Sequence, residues 1–148
     1  MKVYIGADHQ GFQLRADLMV YLRQAGYEIV DEGDKQYSLD DDFPQFAGRV
    51  VHAILASDDP EPRGILICGS GQGMCMAANR FKGIRASVVW DLEEARAARN
   101  DDDSNVLCLP AKILRSDRAH MITTTWLETP FAAAPRYIRR IREMDQLG

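Results

Sequence analysis

Five short apolar runs alternate along the chain with longer stretches in which apolar residues recur every three or four positions. The short runs predict strands at 2–6, 27–31, 64–68, 84–89 and 105–109. The longer stretches predict helices at 11–25, 44–57, 72–81, 91–99 and 113–127, and a last helix at about 135–146. Strands that alternate with helices need crossover connections, which are typical of a parallel sheet covered on both faces. The pattern therefore predicts an α/β fold, a single doubly wound domain over residues 1–148 with five parallel strands and an extra C-terminal helix.

Composition and charge narrow the range of partners. The chain has 148 residues, of which 46% are hydrophobic, and this is enough for one domain with its own core. The net charge of −4 argues against nucleic-acid binding driven by bulk charge. No apolar run approaches the ~18 residues of a membrane span, and the first residues already have the pattern of a strand rather than of a signal peptide. We therefore expect no nucleic-acid and no membrane partner.

The chain has three cysteines, Cys68, Cys75 and Cys108. Three cysteines are few, and their number is uneven, which argues against a disulfide framework and for a reducing compartment. This predicts a cytoplasmic protein. Free cysteine is often a small core residue, and this is our expectation for Cys75 and Cys108.

A glycine-rich turn follows the third predicted strand, at the edge where doubly wound sheets bind their ligands. The strand ends on Cys68, and Gly69, Ser70, Gly71 and Gly73 lead into a predicted helix. Unpaired N–H groups and the helix dipole favour negative charge there, which favours a thiolate as base or nucleophile. Glycines also allow the same amides to close around an anion. The segment predicts a proton-transfer base beside an oxyanion site.

Charged residues elsewhere suit a substrate that carries phosphate. Asp8 and His9 follow the first predicted strand. A helix N-cap is the ordinary role of an aspartate in Asp8's position, but the place of His9 at the strand end favours a functional role. Arg136 and Arg140 stand four apart on one helix face, where the usual outcome is a solvated basic surface. Two guanidinium groups also match the geometry of a phosphate, and Lys112, just after the fifth predicted strand, could add a third cation.

Taken together, these segments resemble the ribose-5-phosphate isomerase B and galactose-6-phosphate isomerase family. The order and spacing of the matching segments hold over essentially the whole chain. These segments are Gly6-Ala7-Asp8-His9-x-Gly11, Asp42-Phe43-Pro44, Ile65-Leu66-Ile67-Cys68-Gly69-Ser70-Gly71-x-Gly73, Ala77-Ala78-Asn79-Arg80, Gly83-Ile84-Arg85-Ala86, Asn105-Val106-Leu107 and Arg136-x-x-x-Arg140. The resemblance implies a Rossmann-like three-layer sandwich and a homodimer, or a dimer of dimers, with active sites built from both chains. It also implies that the C-terminal helix packs on the partner subunit.

The resemblance implies reversible aldose–ketose isomerisation of a phosphosugar in carbohydrate metabolism, without a metal or other cofactor. Cys68 would move a proton between C1 and C2 of the sugar. Ser70 and the amides from Gly71 to Gly73 would hold the enediolate, and Gly69 would line the substrate.

The resemblance also implies how the rest of the substrate is recognised. His9, Arg136 and Arg140 would grip the phosphate, with Lys112 where relatives often carry arginine. Asp8 would bind sugar hydroxyls.

The chain departs from the family pattern at the sugar-recognition end. Relatives that isomerise ribose 5-phosphate carry His-Asn where this chain has Asp101-Asp102, and Phe43 replaces a common tyrosine. That histidine is assigned to ring opening, and the asparagine to binding of the reacting end. Asp101 is the candidate acid or base at this place and Asp102 a candidate binding residue, although an aspartate is ordinarily a poor proton donor at neutral pH.

Several functions remain open from the sequence. The first is isomerisation of ribose 5-phosphate to ribulose 5-phosphate, as in the pentose phosphate pathway. The alternatives are another phosphosugar, such as a tetrose 4-phosphate or a hexose 6-phosphate, and a non-catalytic subunit that binds sugar phosphates. A flavodoxin-like mononucleotide or redox protein would share the same architecture.

Overall fold

The computed structural model describes residues 1–148 and is built around one parallel sheet. Its strands are β1 (Lys2–Ala7), β2 (Glu28–Asp31), β3 (Arg63–Cys68), β4 (Ala86–Val88) and β5 (Val106–Pro110). They lie in the order β2-β1-β3-β5-β4, and every neighbouring pair is parallel. The prediction of five parallel strands in a doubly wound sheet is confirmed.

Six helices connect and flank these strands. They are α1 (Phe12–Gln24), α2 (Phe43–Leu55), α3 (Gln72–Ala78), α4 (Leu92–Asn100), α5 (Ser116–Glu128) and α6 (Pro135–Asp145), and a 3-10 turn (His9–Gly11) precedes α1. The predicted extra C-terminal helix is thus present. None of the six combines the length and the apolar character that a membrane crossing requires.

Successive residues of the central strand β3 point to opposite faces of the sheet, and each face is covered. Ile65 and Ile67 belong to a core cluster of 16 buried residues that includes side chains from α1, α4 and α5. Leu66 and Cys68 belong to a second cluster of 13 buried residues, which includes side chains from α2 and α3. The result is a three-layer sandwich, as expected, and it places Cys68 on the face covered by α2 and α3.

Helix α3 and strand β4 are shorter than their sequence patterns predict, and one side chain accounts for much of the difference. The Asn79 side chain accepts a hydrogen bond from the N–H of Ala86 at 2.8 Å and donates one to its carbonyl at 2.9 Å. It thereby pairs with the outer side of the edge strand as a neighbouring strand would. The Ala-Ala-Asn motif is therefore explained by structure, without a catalytic role for Asn79.

All three cysteines are free. Cys108 is fully buried, as predicted for a core residue. Cys75 is only partly buried, and its thiol donates to the carbonyl of Ala86 at 3.2 Å.

Candidate active site

Cys68 is the last residue of β3 and lies at the carboxyl end of the sheet, with only 5% of its surface exposed. The N–H of Gly71 donates to its Sγ at 3.2 Å. Gly71 reaches this position with a φ of 76°, in the left-handed region that favours glycine. An N–H donated to sulfur stabilises negative charge there. The turn predicted from the sequence therefore supplies a buried thiol with a built-in donor.

The remaining amides of the turn divide between internal and free donors. The N–H of Gln72 donates to the Ser70 hydroxyl at 3.3 Å, whereas the N–H groups of Gly73 and Met74 have no partner within the chain. We expected the amides from Gly71 to Gly73 to hold an oxyanion together, but the Gly71 N–H is directed at Cys68. Of the two residues without an N–H partner, Met74 is fully buried, whereas Gly73 is partly exposed, so the N–H of Gly73 is the free donor of the turn that suits a developing oxyanion.

Phe43, at the start of α2, packs against this turn. A Cβ built on Gly73 would lie 2.7 Å from Cζ of the Phe43 ring, so only glycine fits there while the ring stays in place. Phe43 therefore lies against the turn that follows Cys68.

The turn is covered from the other side by Lys112 and Gln10. The N–H of Lys112 donates to the carbonyl of Gly69 at 3.0 Å, and a Cβ on Gly69 would lie 3.0 Å from Lys112 Cε and overlap the Gln10 amide. Sequence reasoning identified Lys112 but missed Gln10. Its position directly after His9, at the end of the strand that neighbours β3, is the signal that could have found it.

Asp8 has the role of an N-cap, the alternative that the sequence left open. Its Oδ1 accepts hydrogen bonds from the N–H groups of Gln10 at 2.9 Å and Gly11 at 3.2 Å. Burial raises the pKa of the Asp8 carboxyl, and the two N–H groups counteract part of this effect. Asp8 thus fixes the turn that carries His9.

His9 is paired with Asp41, a residue of the loop before α2. Asp41 Oδ1 accepts from the backbone N–H of His9 at 3.1 Å and lies 2.8 Å from its Nδ1. This hydrogen bond is the main cause that raises the pKa of His9. The sequence pattern did not single out Asp41, because it lies 32 positions away from His9 along the chain.

Asp101 and Asp102 lie at the opposite edge of the sheet from Cys68. Strand β5 pairs Val106 with Gly64 at its start and Pro110 with Cys68 at its end. Residues just before Val106 therefore lie at the amino-terminal edge, about 13 Å away at the usual rise per strand residue. Cys68 and the predicted catalytic Asp101 of the same chain do not share a site.

Helix α6 lies along this amino-terminal edge. The N–H of Ala132, shortly before α6, donates to the carbonyl of Asn100 at 3.1 Å, and Asp145 at its far end is 3.7 Å from the Arg85 guanidinium. No residue of α6 is buried within the chain.

The arginines of α6 act electrostatically on the two aspartates. Burial raises the pKa of Asp102, as does Asp101, whereas Arg140 and Arg85 lower it in part. The hydrogen bond with Tyr137 raises the pKa of Arg136, and Asp101 adds to this effect. Arg136 and Arg140 therefore lie near Asp101-Asp102 and not near His9.

Each chain consequently carries two half-sites. The carboxyl-edge half-site consists of Asp8, His9, Cys68, Gly69, Ser70, Gly71, Gly73 and Lys112. The amino-edge half-site consists of Asp101, Asp102, Arg136 and Arg140. The residues expected to bind one phosphate are therefore divided between the two half-sites of a chain.

Comparison with known proteins agrees with this architecture. The family model described as Ribose/Galactose Isomerase matches residues 3–144. Ribose-5-phosphate isomerase B from Mycolicibacterium paratuberculosis is 35% identical over 141 residues, which cover 95% of this chain and 87% of that protein.

Solved structures extend the comparison to the fold. A ribose 5-phosphate isomerase from Thermotoga maritima has a TM-score of 0.92 and 38% identity, covering 99% of this chain and 98% of that one. Ribose-5-phosphate isomerase B from Mycoplasma genitalium with bound ribulose-5-phosphate has a TM-score of 0.89 and 34% identity, covering 99% and 97%. The resemblance carried by the motifs is confirmed: the chain belongs to the Ribose/Galactose Isomerase family and is an aldose–ketose isomerase.

Proposed function

We propose that this enzyme interconverts ribose 5-phosphate and ribulose 5-phosphate through an enediolate, with Cys68 as the proton-transfer base. The names of its relatives and the ribulose-5-phosphate complex of the Mycoplasma genitalium protein support the substrate. The observation that carries the chemistry is the thiol of Cys68, which accepts a hydrogen bond from the N–H of Gly71 at 3.2 Å in the same turn as the free N–H of Gly73. A base and preorganised donors are the two requirements of such a reaction.

The steps balance with one base and a bound oxyanion. In the aldose-to-ketose direction, the Cys68 thiolate takes the proton from C2, a double bond forms between C1 and C2, and O1 becomes negative. The Ser70 hydroxyl and the Gly73 amide stabilise that charge. Cys68 then returns its proton to C1, while the proton of the C2 hydroxyl passes to O1 and leaves a ketone at C2.

The phosphate would be bound by residues of two chains. His9 and Lys112 belong to the carboxyl-edge half-site, and Arg136 and Arg140 belong to the amino-edge half-site. We infer that two copies pair so that each amino-edge half-site completes the carboxyl-edge half-site of the other, which a two-fold axis allows. Helix α6 would pack on the partner subunit in this homodimer, and a dimer of dimers would repeat the same contact. Binding the phosphate fixes the reacting carbons against Cys68, and such orientation removes part of the barrier.

We place the reaction in the cytoplasm because all three cysteines are free thiols, which is the usual state in a reducing compartment.

A second candidate substrate is a tetrose 4-phosphate. The observation that favours it is the presence of Asp101 and Asp102 beside Arg136 and Arg140, where a ring-opening histidine would stand in relatives. A tetrose phosphorylated on O4 cannot close a five-membered ring through that oxygen, so it needs no ring opening. A hexose 6-phosphate is the third candidate for comparison.

The test is a panel of kcat/KM values for ribose 5-phosphate, erythrose 4-phosphate and galactose 6-phosphate with the wild-type enzyme. We expect ribose 5-phosphate to be turned over, and faster turnover of erythrose 4-phosphate would favour the second candidate. Binding of all three sugars without turnover would contradict the proposal and indicate a non-catalytic subunit. A yellow purified protein would instead indicate a bound flavin.

A further inference from the structure

The loop between β2 and α2 closes over the imidazole of His9. Asp41 Oδ1 meets both the backbone N–H and the Nδ1 of His9, at 3.1 and 2.8 Å. The ring of Tyr37, from the same loop, stands edge-on to the imidazole with centroids 6.3 Å apart. Two hydrogen bonds to one oxygen and an aromatic wall leave the ring little freedom to rotate.

A carboxylate is an acceptor only, so the proton of the contact lies on Nδ1. Nε2 makes no hydrogen bond within the chain and is not a buried atom. The second nitrogen of His9 is therefore the one that a ligand can reach.

We propose that Asp41 is a positioning residue for the isomerase: its carboxylate fixes the His9 imidazole through Nδ1 and leaves a charged Nε2–H as the donor to the substrate phosphate. This inference rests on the proposed function, because it takes the phosphate as the ligand of His9.

The charges around His9 support the second part of the proposal. The hydrogen bond to Asp41 is the main cause that raises the pKa of His9, burial lowers it, and Asp8 and Asp40 also raise it. A cation brought close to His9, such as Lys112 or an arginine of a paired copy, would lower its pKa. A histidine has an ordinary pKa near 6.5, so a carboxylate partner extends the pH range in which its cation is available.

The sign of the effect can be stated. Since the folded pKa of His9 is raised, its cationic donor is present below that pKa and is lost as the pH rises through it. Removing the Asp41 charge moves this loss to lower pH. Above the pKa of His9, phosphate affinity then falls by about tenfold for each unit by which the pKa drops.

The experiment compares Asp41→Asn and Asp41→Ala with the matched control Asp40→Asn. Asp40 is an exposed neighbour that forms no hydrogen bond with His9. The pKa of the His9 imidazole is measured by NMR in the free enzyme, with His52 and His120 as internal references. We expect the pKa of His9 to fall clearly in both Asp41 variants and to fall less in Asp40→Asn. Equal His9 titration in wild type and Asp41→Asn would overturn the proposal.

The link to phosphate is tested with inorganic phosphate and with the KM for ribose 5-phosphate as functions of pH. At high pH, Asp41→Asn should weaken the binding of inorganic phosphate and raise the KM for ribose 5-phosphate, with kcat nearly unchanged. Below the pKa of His9, both quantities should return to the wild-type values. In a His9→Gln background the same substitution should add almost nothing, because Asp41 acts through His9. A full additional loss there, or unaltered phosphate affinity at every pH, would contradict the proposal.

Failure of the proposed function would look different. In that case no phosphosugar is turned over by the wild type, whereas the NMR titration of His9 still reports whether Asp41 holds the ring.

Discussion

The two half-sites of this chain are built in different ways. The carboxyl-edge half-site is made by buried backbone: Cys68 is 5% exposed, and the turn after it needs glycine at Gly71 for its positive φ and at Gly73 for the close approach of Phe43. The amino-edge half-site is made by side chains at the surface, and no residue of α6, which carries Arg136 and Arg140, is buried within the chain.

On the proposed mechanism, the proton-transfer base lies on buried backbone, whereas the two arginines that would bind the phosphate lie on an exposed helix. A change in the turn after Cys68 alters backbone geometry and core packing together, so few substitutions are compatible with folding. A change at Asp101, Asp102 or the arginines alters charge at an exposed edge with little effect on folding. The predictions below test whether the two half-sites contribute differently to kcat, KM and stability.

The largest effect is expected at the thiol. Cys68→Ala should lower kcat by about 10³-fold or more, in line with the loss of a proton-transfer group, while phosphosugars still bind. Steady-state kinetics and a binding titration check this, with Cys75→Ala as the matched control. A Cys68→Ala enzyme that keeps most of its kcat would exclude Cys68 as the base.

The next effect is the recovery of activity in mixed dimers. Cys68→Ala and Arg136→Ala chains are each impaired, but a heterodimer contains one site with both native residues if the half-sites come from different chains. After equilibrated mixing at equal concentration, about a quarter of all sites should be native. Absence of any recovery, with heterodimers demonstrated by mass spectrometry, would contradict the shared site.

The arginines should affect binding more than turnover. Arg140→Ala should raise KM for the phosphosugar by roughly 10- to 100-fold, the usual range for one charge-assisted hydrogen bond, with a smaller change in kcat. The fold of each subunit should persist, which circular dichroism can check, because the Arg140 side chain is exposed within its own chain. Arg139→Ala, on the same exposed helix, is the control and should leave KM unchanged.

A smaller effect is expected from restoring the family residue at the amino edge. Asp101→His should raise kcat/KM for ribose 5-phosphate by up to about tenfold and change erythrose 4-phosphate less, because a histidine can donate a proton to a ring oxygen at neutral pH. The ratio of the two kcat/KM values is the measurement. Fastest turnover of ribose 5-phosphate by the wild type, with no gain in Asp101→His, would show that this position does not limit the reaction.

The smallest effect lies outside both half-sites, between α1 and α5. Asp17 accepts hydrogen bonds from the hydroxyl of Ser116 at 2.8 Å and from Nε2 of His120 at 2.6 Å, and the Ser116 bond is the main cause that lowers the pKa of Asp17. A lowered pKa contributes stability above the unfolded value and loses it as the pH falls through the folded value.

We therefore expect Asp17→Asn to destabilise the fold by less than about 1 kcal/mol near neutral pH, since the pair is exposed, and not at all in acid. Thermal unfolding at several pH values measures this loss of stability, and the substitution of an exposed aspartate, Asp117→Asn, is the control. A destabilisation that persists unchanged in acid would exclude this electrostatic origin, and kcat and KM should not change.

The sequence by itself determined most of the strands and helices and located the cysteine and the glycine-rich turn of the carboxyl-edge half-site. Strand and helix are indicated by local periodicity, and a cysteine that ends an apolar run before a glycine-rich turn must lie where β3 meets α3. These features depend on residues close together in the chain, so Cys68 and its turn could be located without knowing the strand order. The ends of α3 and β4 could not be located in this way, because they depend on the contact of Asn79 with Ala86 across the edge of the sheet.

Only the tertiary structure decided which residues share a half-site. The strand order β2-β1-β3-β5-β4 places His9, Gln10 and Lys112 around the turn after Cys68, and it places Asp101 at the opposite edge. The pairing of Asp41 with His9 joins residues 32 positions apart through a loop that has no periodic pattern. The physical reason is that such contacts depend on how layers pack and on where a loop crosses the sheet, and local preferences along the chain do not determine either.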